Sequence, residues 1–270
     1  MQNRNLMPHR LYPEDPLLPE EREAYERDLI SFCDRELDLL GDIEGLATLY
    51  VGGSSPLWLE GLSQRIGKMG TLVSLEADTQ LVQEGRELLR DANLAAPIRI
   101  VAGDVFRLPF ERNTFDLAYS AGLFHELDVR GRSAGEALAA LASVIRTGGR
   151  IAASDFVDCL PAVQLEDEAL QRELVRELSG AELYGIGPPE RLIALHEALL
   201  DDVRWRLSPP HPVRYLDKVV LAEEVPEDLR SLPVGARSKM LERRRALQDS
   251  IRYECYTRPA TLYVEGRVSR

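Results

Sequence analysis

The sequence predicts an α/β fold built around a parallel sheet, and three observations predict it. Between Leu46 and Asp155, short apolar runs alternate with stretches of helical period. Each run is bounded by Gly, Pro or Asp, so it reads as a buried strand closed by a turn rather than as one piece of a long helix. Each intervening stretch is long enough for a crossover helix, which parallel neighbours require and hairpin neighbours do not.

The elements follow in order. Residues 1–19 carry Pro8, Pro13, Pro16 and Pro19 and read as an extended arm. Glu20 to Leu40 has Ala24, Leu29, Phe32, Leu37 and Leu40 at helical spacing, closed by Gly41 and Gly45. Residues 1–45 therefore form an arm and a helix, and residues 46–270 the α/β domain. Leu46 to Val51 is the first strand. Pro56 suits the first turn of the next helix, with Ser54 or Ser55 as its N-cap and Leu57, Leu59, Leu62 and Ile66 along it. Thr71 to Glu76 is the second strand. Asp78 or Thr79 caps a helix whose inner face carries Leu81, Val82, Leu88 and Leu89.

Ile98 to Val101 and Phe115 to Ser120 are the third and fourth strands. Ser133 to Ile145, rich in Ala and Leu, is the strongest helix signal in the chain. The pair Gly148-Gly149 turns it into a fifth strand, Arg150 to Asp155. Beyond Phe156 the rhythm loosens. Gln164 to Leu178, Glu190 to Leu200 and Val234 to Arg252 are helical by period, while Val203 to Leu207 and Thr261 to Val264 read as a sixth and a seventh strand. Helical insertions are expected over about 157–200 and 208–260.

Composition narrows the function classes. The formal net charge of −12 argues against a nucleic-acid binder, whose affinity comes chiefly from neutralising phosphates. No run of about 18 apolar residues is present, so no membrane span is expected. Cys33, Cys159 and Cys255 are odd in number and far apart, which fits neither a disulfide framework nor a metal site. A cytoplasmic protein acting on a small molecule is the expectation, with a homodimer as the assembly to test.

In open α/β sheets, ligands sit at the carboxyl ends of the strands. The residues there are Gly52, Gly53 and Ser54 after the first strand, Glu76 and Ala77 after the second, Asp104 and Val105 after the third, and Ser120 at the end of the fourth. Glycine permits a tight turn and close approach of backbone to ligand. A carboxylate such as Glu76 can accept both hydroxyl hydrogens of a ribose, or it can cap the next helix. Asp104 can accept from an adenine amino group or shape an Asx turn.

Four passages carry a resemblance: Leu49-Tyr50-Val51-Gly52-Gly53, Val73-Ser74-Leu75-Glu76, Ala102 to Phe110 with Thr114-Phe115-Asp116-Leu117, and Val144 to Arg150. Over about 110 residues the chain resembles the class I S-adenosylmethionine-dependent methyltransferases, and among them the small-molecule branch related to ubiquinone and menaquinone biosynthesis. The resemblance implies a Rossmann-like doubly wound sheet of about seven mostly parallel strands with the last one antiparallel. It also implies S-adenosylmethionine as cofactor, bound at Gly52, Gly53, Ser54, Glu76, Ala77, Asp104, Val105 and Ser120. The chain departs from the family pattern in its glycine loop. Tyr50 stands where an acidic residue is usual, and Ser54 and Pro56 stand where further glycines are. A non-catalytic cofactor-binding or scaffold relative is the alternative. A nicotinamide-dependent oxidoreductase ranks last, since Gly52 to Leu57 is not a G-x-G-x-x-G run.

Other polar residues carry two readings each. His125, after the fourth strand, could be a base or substrate contact, or a histidine bonded within a helical turn. Asp155 could touch substrate or cap a turn. His196 reads as an exposed helix residue, and His211, among prolines, as part of a structural loop. Arg243, Arg244 and Arg245, interleaved with acids, read as a solvated helix face. Tyr12 and Tyr25 could form a lid or pack into the core.

Overall fold

The computed structural model describes residues 16–52, 55–90, 92, 94–127, 134–158, 161–180, 187–222, 229, 231–254 and 256–269. The expectations for the arm before residue 16, and for Tyr12, Gly53, Ser54, Ser133, Cys159 and Cys255, lie outside them.

Seven strands form one sheet: β1 (Ala47–Val51), β2 (Thr71–Glu76), β3 (Ile98–Ala102), β4 (Phe115–Ala121), β5 (Ile145–Phe156), β6 (Asp201–Ser208) and β7 (Thr261–Arg267). Their order across the sheet is β3-β2-β1-β4-β5-β7-β6. The pairs from β3 to β5 are all parallel, and β7 runs antiparallel to both β5 and β6. The strand order reverses at β1 and β4, which leave the sheet side by side at its centre. That is the topological switch point where a crevice opens.

The described helices are α1 (Pro19–Asp38), α2 (Pro56–Ile66), α3 (Thr79–Leu89), α4 (Phe124–Leu127), α5 (Ala134–Val144), α6 (Ala162–Ser179), α7 (Pro189–Glu197), α8 (Leu216–Ala222) and α9 (Val234–Glu254). Strand alternation divides the core in two. Leu49 and Val51 pack with Leu138 and Leu141 of α5 and Leu192 of α7. Tyr50 points the other way, towards Leu59, Leu62 and Ile66 of α2, Val82 of α3 and Leu37 of α1. Each such fully buried leucine contributes about 1.5–3 kcal/mol over leaving it in water. Two smaller clusters join α6 to α9 and α1 to α8.

Local signals explain the helix ends. Pro56 opens α2 and Ser55 is its N-cap, although without a side-chain cap bond. Asp78 caps α3 by accepting from the Gln80 amide at 2.7 Å. Three expectations need correcting. Leu88 is exposed, and Val82, Gly85 and Leu89 make the inner face of α3 instead. The fifth strand does not begin after the glycine pair: β5 starts at Ile145, opposite Phe115, and carries Gly148-Gly149 through a bulge. His196 is fully buried, as the next section describes.

Candidate functional site

The register brings the strand ends together: Val51 pairs with Leu75 and Ser120, Glu76 with Ala102, and Ala121 with Ser154. Gly52 follows β1 at φ +125, and a Cβ on it would lie 2.9 Å from the Ala121 carbonyl oxygen. Only glycine lets the chain leaving β1 run this close to the chain leaving β4. Glu76 ends β2 almost buried, and its Oε1 accepts from the Asp78 amide at 2.9 Å. Ala77 is exposed in the turn that follows. Asp104 forms an isolated bridge with Arg107, and its Oδ1 accepts from the Phe106 amide at 2.9 Å, which is an Asx turn. Val105 is buried in the core cluster beneath these loops. Ser120 sits inside β4, and its buried Oγ has no hydrogen-bond partner among the described residues.

Beyond β4 the chain turns through Gly122, at φ +74, into the short helix α4. Asp155, from the end of β5, is buried beneath it. One carboxylate oxygen accepts from the Phe124 amide at 2.7 Å, and the other lies 2.7 Å from His125 Nδ1. Both readings of Asp155 thus meet in one side chain: it caps the turn and it orients a histidine. A carboxylate can only accept, so Nδ1 of His125 carries the proton and Nε2 is the nitrogen left as a base. Burial pulls the His125 pKa down, but the Asp155 hydrogen bond and charge outweigh it, leaving the pKa above its ordinary 6.5. Glu168 of α6 adds to the same field, and burial raises its own pKa.

His125 opens on a cleft of about 210 Å³ at the switch point. Gly52, Ala121, Gly122, Trp58, Phe156 and Thr261 line it. The Phe156 ring lies 5.3 Å from that of His125. Three charged residues that the sequence did not single out also line this cleft: Glu36 of α1, the exposed Glu126 of α4, and Arg258 from the segment before β7. Glu36 had a legible signal: it falls on the same helical face as Leu29, Phe32, Cys33 and Leu37, where a charge is out of place. Arg258 had none, because only the fold brings its loop to the strand ends. A larger hollow of about 330 Å³ lies between α3 and β3, around Arg86, Arg90 and Arg99, away from the switch point.

The remaining polar residues are structural. His196 is enclosed behind α4, with Nδ1 2.9 Å from the Leu192 carbonyl oxygen and its ring edge-on to Phe124. Burial lowers its pKa to about 4, so it is a neutral core residue and not an exposed one. His211 forms an isolated bridge with Arg258, and its Nδ1 lies 2.9 Å from Arg35 Nη1. Arg243 pairs with Glu166 and Glu173, tying α9 to α6 on the surface. Tyr25 is buried in the cluster joining α1 to α8. Among the described residues no cluster of His, Cys, Asp and Glu could hold a metal ion, and no helix is long and apolar enough to cross a membrane.

Residues 49–153 match the family model described as a methyltransferase domain. The chain is 30% identical over 136 residues to the ubiquinone/menaquinone biosynthesis C-methyltransferase UbiE of Idiomarina loihiensis, covering 48% of this chain and 52% of that protein. The chain thus spans about half the length of the curated relatives it matches. Among solved structures, a putative sarcosine dimethylglycine methyltransferase from Galdieria sulphuraria superposes with a TM-score of 0.56 at 19% identity, over 92% of this chain and 88% of that one. A geranyl diphosphate methyltransferase in complex with S-adenosylmethionine gives a TM-score of 0.56 at 14% identity, over 96% and 95%. At such identities the structures show the fold alone. That fold is a seven-stranded mixed sheet, and one of the methyltransferases that share it is solved with S-adenosylmethionine bound.

Proposed function

We propose that this protein is an S-adenosylmethionine-dependent methyltransferase acting on a small-molecule acceptor, with His125 as its base. The observation that carries the proposal is the Asp155–His125 contact on a cleft lined also by Gly52 and Ala121. The residues fit the cofactor. The cradle between Gly52 and Ala121 is one that a Cβ would fill, and Glu76 holds a nearly buried carboxylate at the end of β2. Glu76 would receive the ribose hydroxyls. Asp104, already engaged in its own turn, stands where the adenine edge would lie.

When bound, the cofactor supplies an electrophilic methyl group on a sulfonium. The protein's share is alignment and proton removal. Trp58 and Phe156 give the acceptor apolar walls. Asp155 holds the imidazole by Nδ1 and compensates the positive charge that forms when Nε2 takes a proton from the acceptor. A base matters only for an acceptor whose nucleophilic atom carries a proton of high pKa, such as an enol, a phenol or its ring carbon. Carbon methylation of a quinone precursor, the activity in the UbiE relatives' name, falls in that class.

The test is transfer of labelled methyl from S-adenosylmethionine to a panel of phenols, hydroquinones and amines by the purified chain. Transfer that depends on His125 supports the proposal. A protein that binds cofactor but labels nothing in any class would instead be a non-catalytic relative.

A further inference from the structure

Two charged groups on the cleft, the buried Glu36 and the half-buried Arg258, have hydrogen-bonding atoms left unmet. Glu36 is fully buried on α1, and its Oε2 makes no hydrogen bond. Its Oε1 meets only Arg35 Nη2, at a long 3.5 Å. On the same cleft, the Arg258 guanidinium lies over the rings of Phe32 and Phe156, at 5.0 and 5.3 Å, and its buried Nε has no hydrogen-bond partner among the described residues. Among the described residues no ion pair joins the two, although each lies within the other's field. A buried polar atom of a charged group left without a hydrogen bond is costly, so Glu36 Oε2 and Arg258 Nε both call for a partner that the described residues do not supply.

One ligand chemistry satisfies both at once: a zwitterion, with an ammonium for Glu36 and a carboxylate for Arg258. The position selects the source. Glu36 and Arg258 line the same cleft as Gly52, Ala121 and Gly122, the turns where β1 and β4 end. β1 itself offers no charge, because Tyr50 is buried and burial holds its phenol neutral. Resting on the methyltransferase reading above, we infer that Glu36 and Arg258 form the receptor for the α-amino-carboxylate head of S-adenosylmethionine. Glu36 takes the ammonium and Arg258 the carboxylate. The N-terminal helix and the segment before β7 thereby do the work that a carboxylate at the end of β1 would do.

Calorimetric binding to the full chain tests this with three ligands: S-adenosylmethionine, its decarboxylated analogue, and 5′-methylthioadenosine, which lacks the head altogether. Charge-assisted hydrogen bonds set the expected scale. Glu36→Gln and Arg258→Gln should each weaken S-adenosylmethionine by about tenfold to a hundredfold, and methylthioadenosine by less than about twofold. Arg258→Gln should leave the decarboxylated analogue unaffected, while Glu36→Gln weakens it. If Glu36→Gln does not fold, Glu36→Asp, which keeps the charge but shortens its reach, must show the same head-selective loss. Variants that bind S-adenosylmethionine like the wild type overturn the inference, as does an equal loss for S-adenosylmethionine and methylthioadenosine. A wild-type chain that binds none of the three ligands overturns the methyltransferase reading itself, a distinct result.

Discussion

Replacing Asp155 by Asn removes one charge from a buried side chain of the site and changes almost no volume. The native carboxylate accepts three times, from Phe124 N and His125 Nδ1, both at 2.7 Å, and from Phe156 N at 3.0 Å. An amide has one accepting oxygen where the carboxylate has two, so its NH2 must turn towards Phe124 N or towards His125 Nδ1. If it faces Phe124, the start of α4 loses its cap. If it faces His125, the ring must change tautomer and Nε2 carries the proton, which removes the base. A charge-assisted hydrogen bond is worth about 1.5–3 kcal/mol, so a stability loss of about 2–4 kcal/mol is expected in urea unfolding. Methyl transfer should fall by about a hundredfold to ten-thousandfold, the usual contribution of a positioned base, with cofactor affinity unchanged.

The pH dependence has a definite sign. The folded pKa of His125 stands above 6.5 because of Asp155, so the stability from its protonated form is fully present below about pH 6.5 and is lost as pH rises through the raised value. The difference between wild type and Asp155→Asn should therefore shrink from acid to alkaline pH. In an NMR titration of the imidazole, the variant's His125 should titrate below the wild type's, since burial remains while the raising partner is gone. An unchanged His125 pKa together with unchanged turnover would refute the reasoning.

His196 should make the protein acid-sensitive. Its pKa is about 4 when folded against 6.5 for a free imidazole, so stability present above pH 6.5 is lost as pH falls towards 4, by about 3 kcal/mol. A stable His196→Gln variant should lack that part of the slope in urea melts taken across the range. Gly122→Ala places a Cβ at φ +74 and 3.2 Å from His125 Cε1, so it should cost about 1–2 kcal/mol and lower kcat by displacing the ring, as thermal melts and turnover would show. Glu76→Gln should weaken S-adenosylmethionine and methylthioadenosine alike, by about tenfold, because both keep the ribose; a loss confined to one ligand would contradict the role given to Glu76. Leu138→Ala, in the fully buried face of α5, should cost about 2–5 kcal/mol in urea melts while leaving cofactor affinity intact in the folded fraction.

The central strands were legible because helices cover them on both faces. Leu49 to Val51 and Leu72 to Leu75 must then be apolar or small throughout, and such runs stand out between glycines. The parts that resisted reading have physical causes. The start of β5 carries Thr147, Gly148 and Gly149, exposed or half-exposed residues that read locally as a turn, and only pairing across the sheet reveals a strand. β6 lies at the sheet edge with most side chains exposed, so its ends at Asp201 and Ser208 left no apolar trace. His196 was misread because an imidazole suits either face of an amphipathic helix, and whether it is enclosed depends on Phe124, far away in sequence. The strand-end residues of the site were visible by position. Of its cleft charges, Glu36 left a trace as a charge on an apolar helix face, whereas Arg258 left none, since only the fold brings its loop to the strand ends.

The most direct test of the account is a calorimetric titration of the purified wild-type chain with S-adenosylmethionine and with its demethylated product. It should be run at two temperatures, because burial of apolar surface changes the heat of binding with temperature and a null enthalpy at one of them proves nothing. The account predicts saturable binding of both ligands to one site per chain, weakened by Glu76→Gln. No heat from either ligand at either temperature, at high protein concentration, would contradict it.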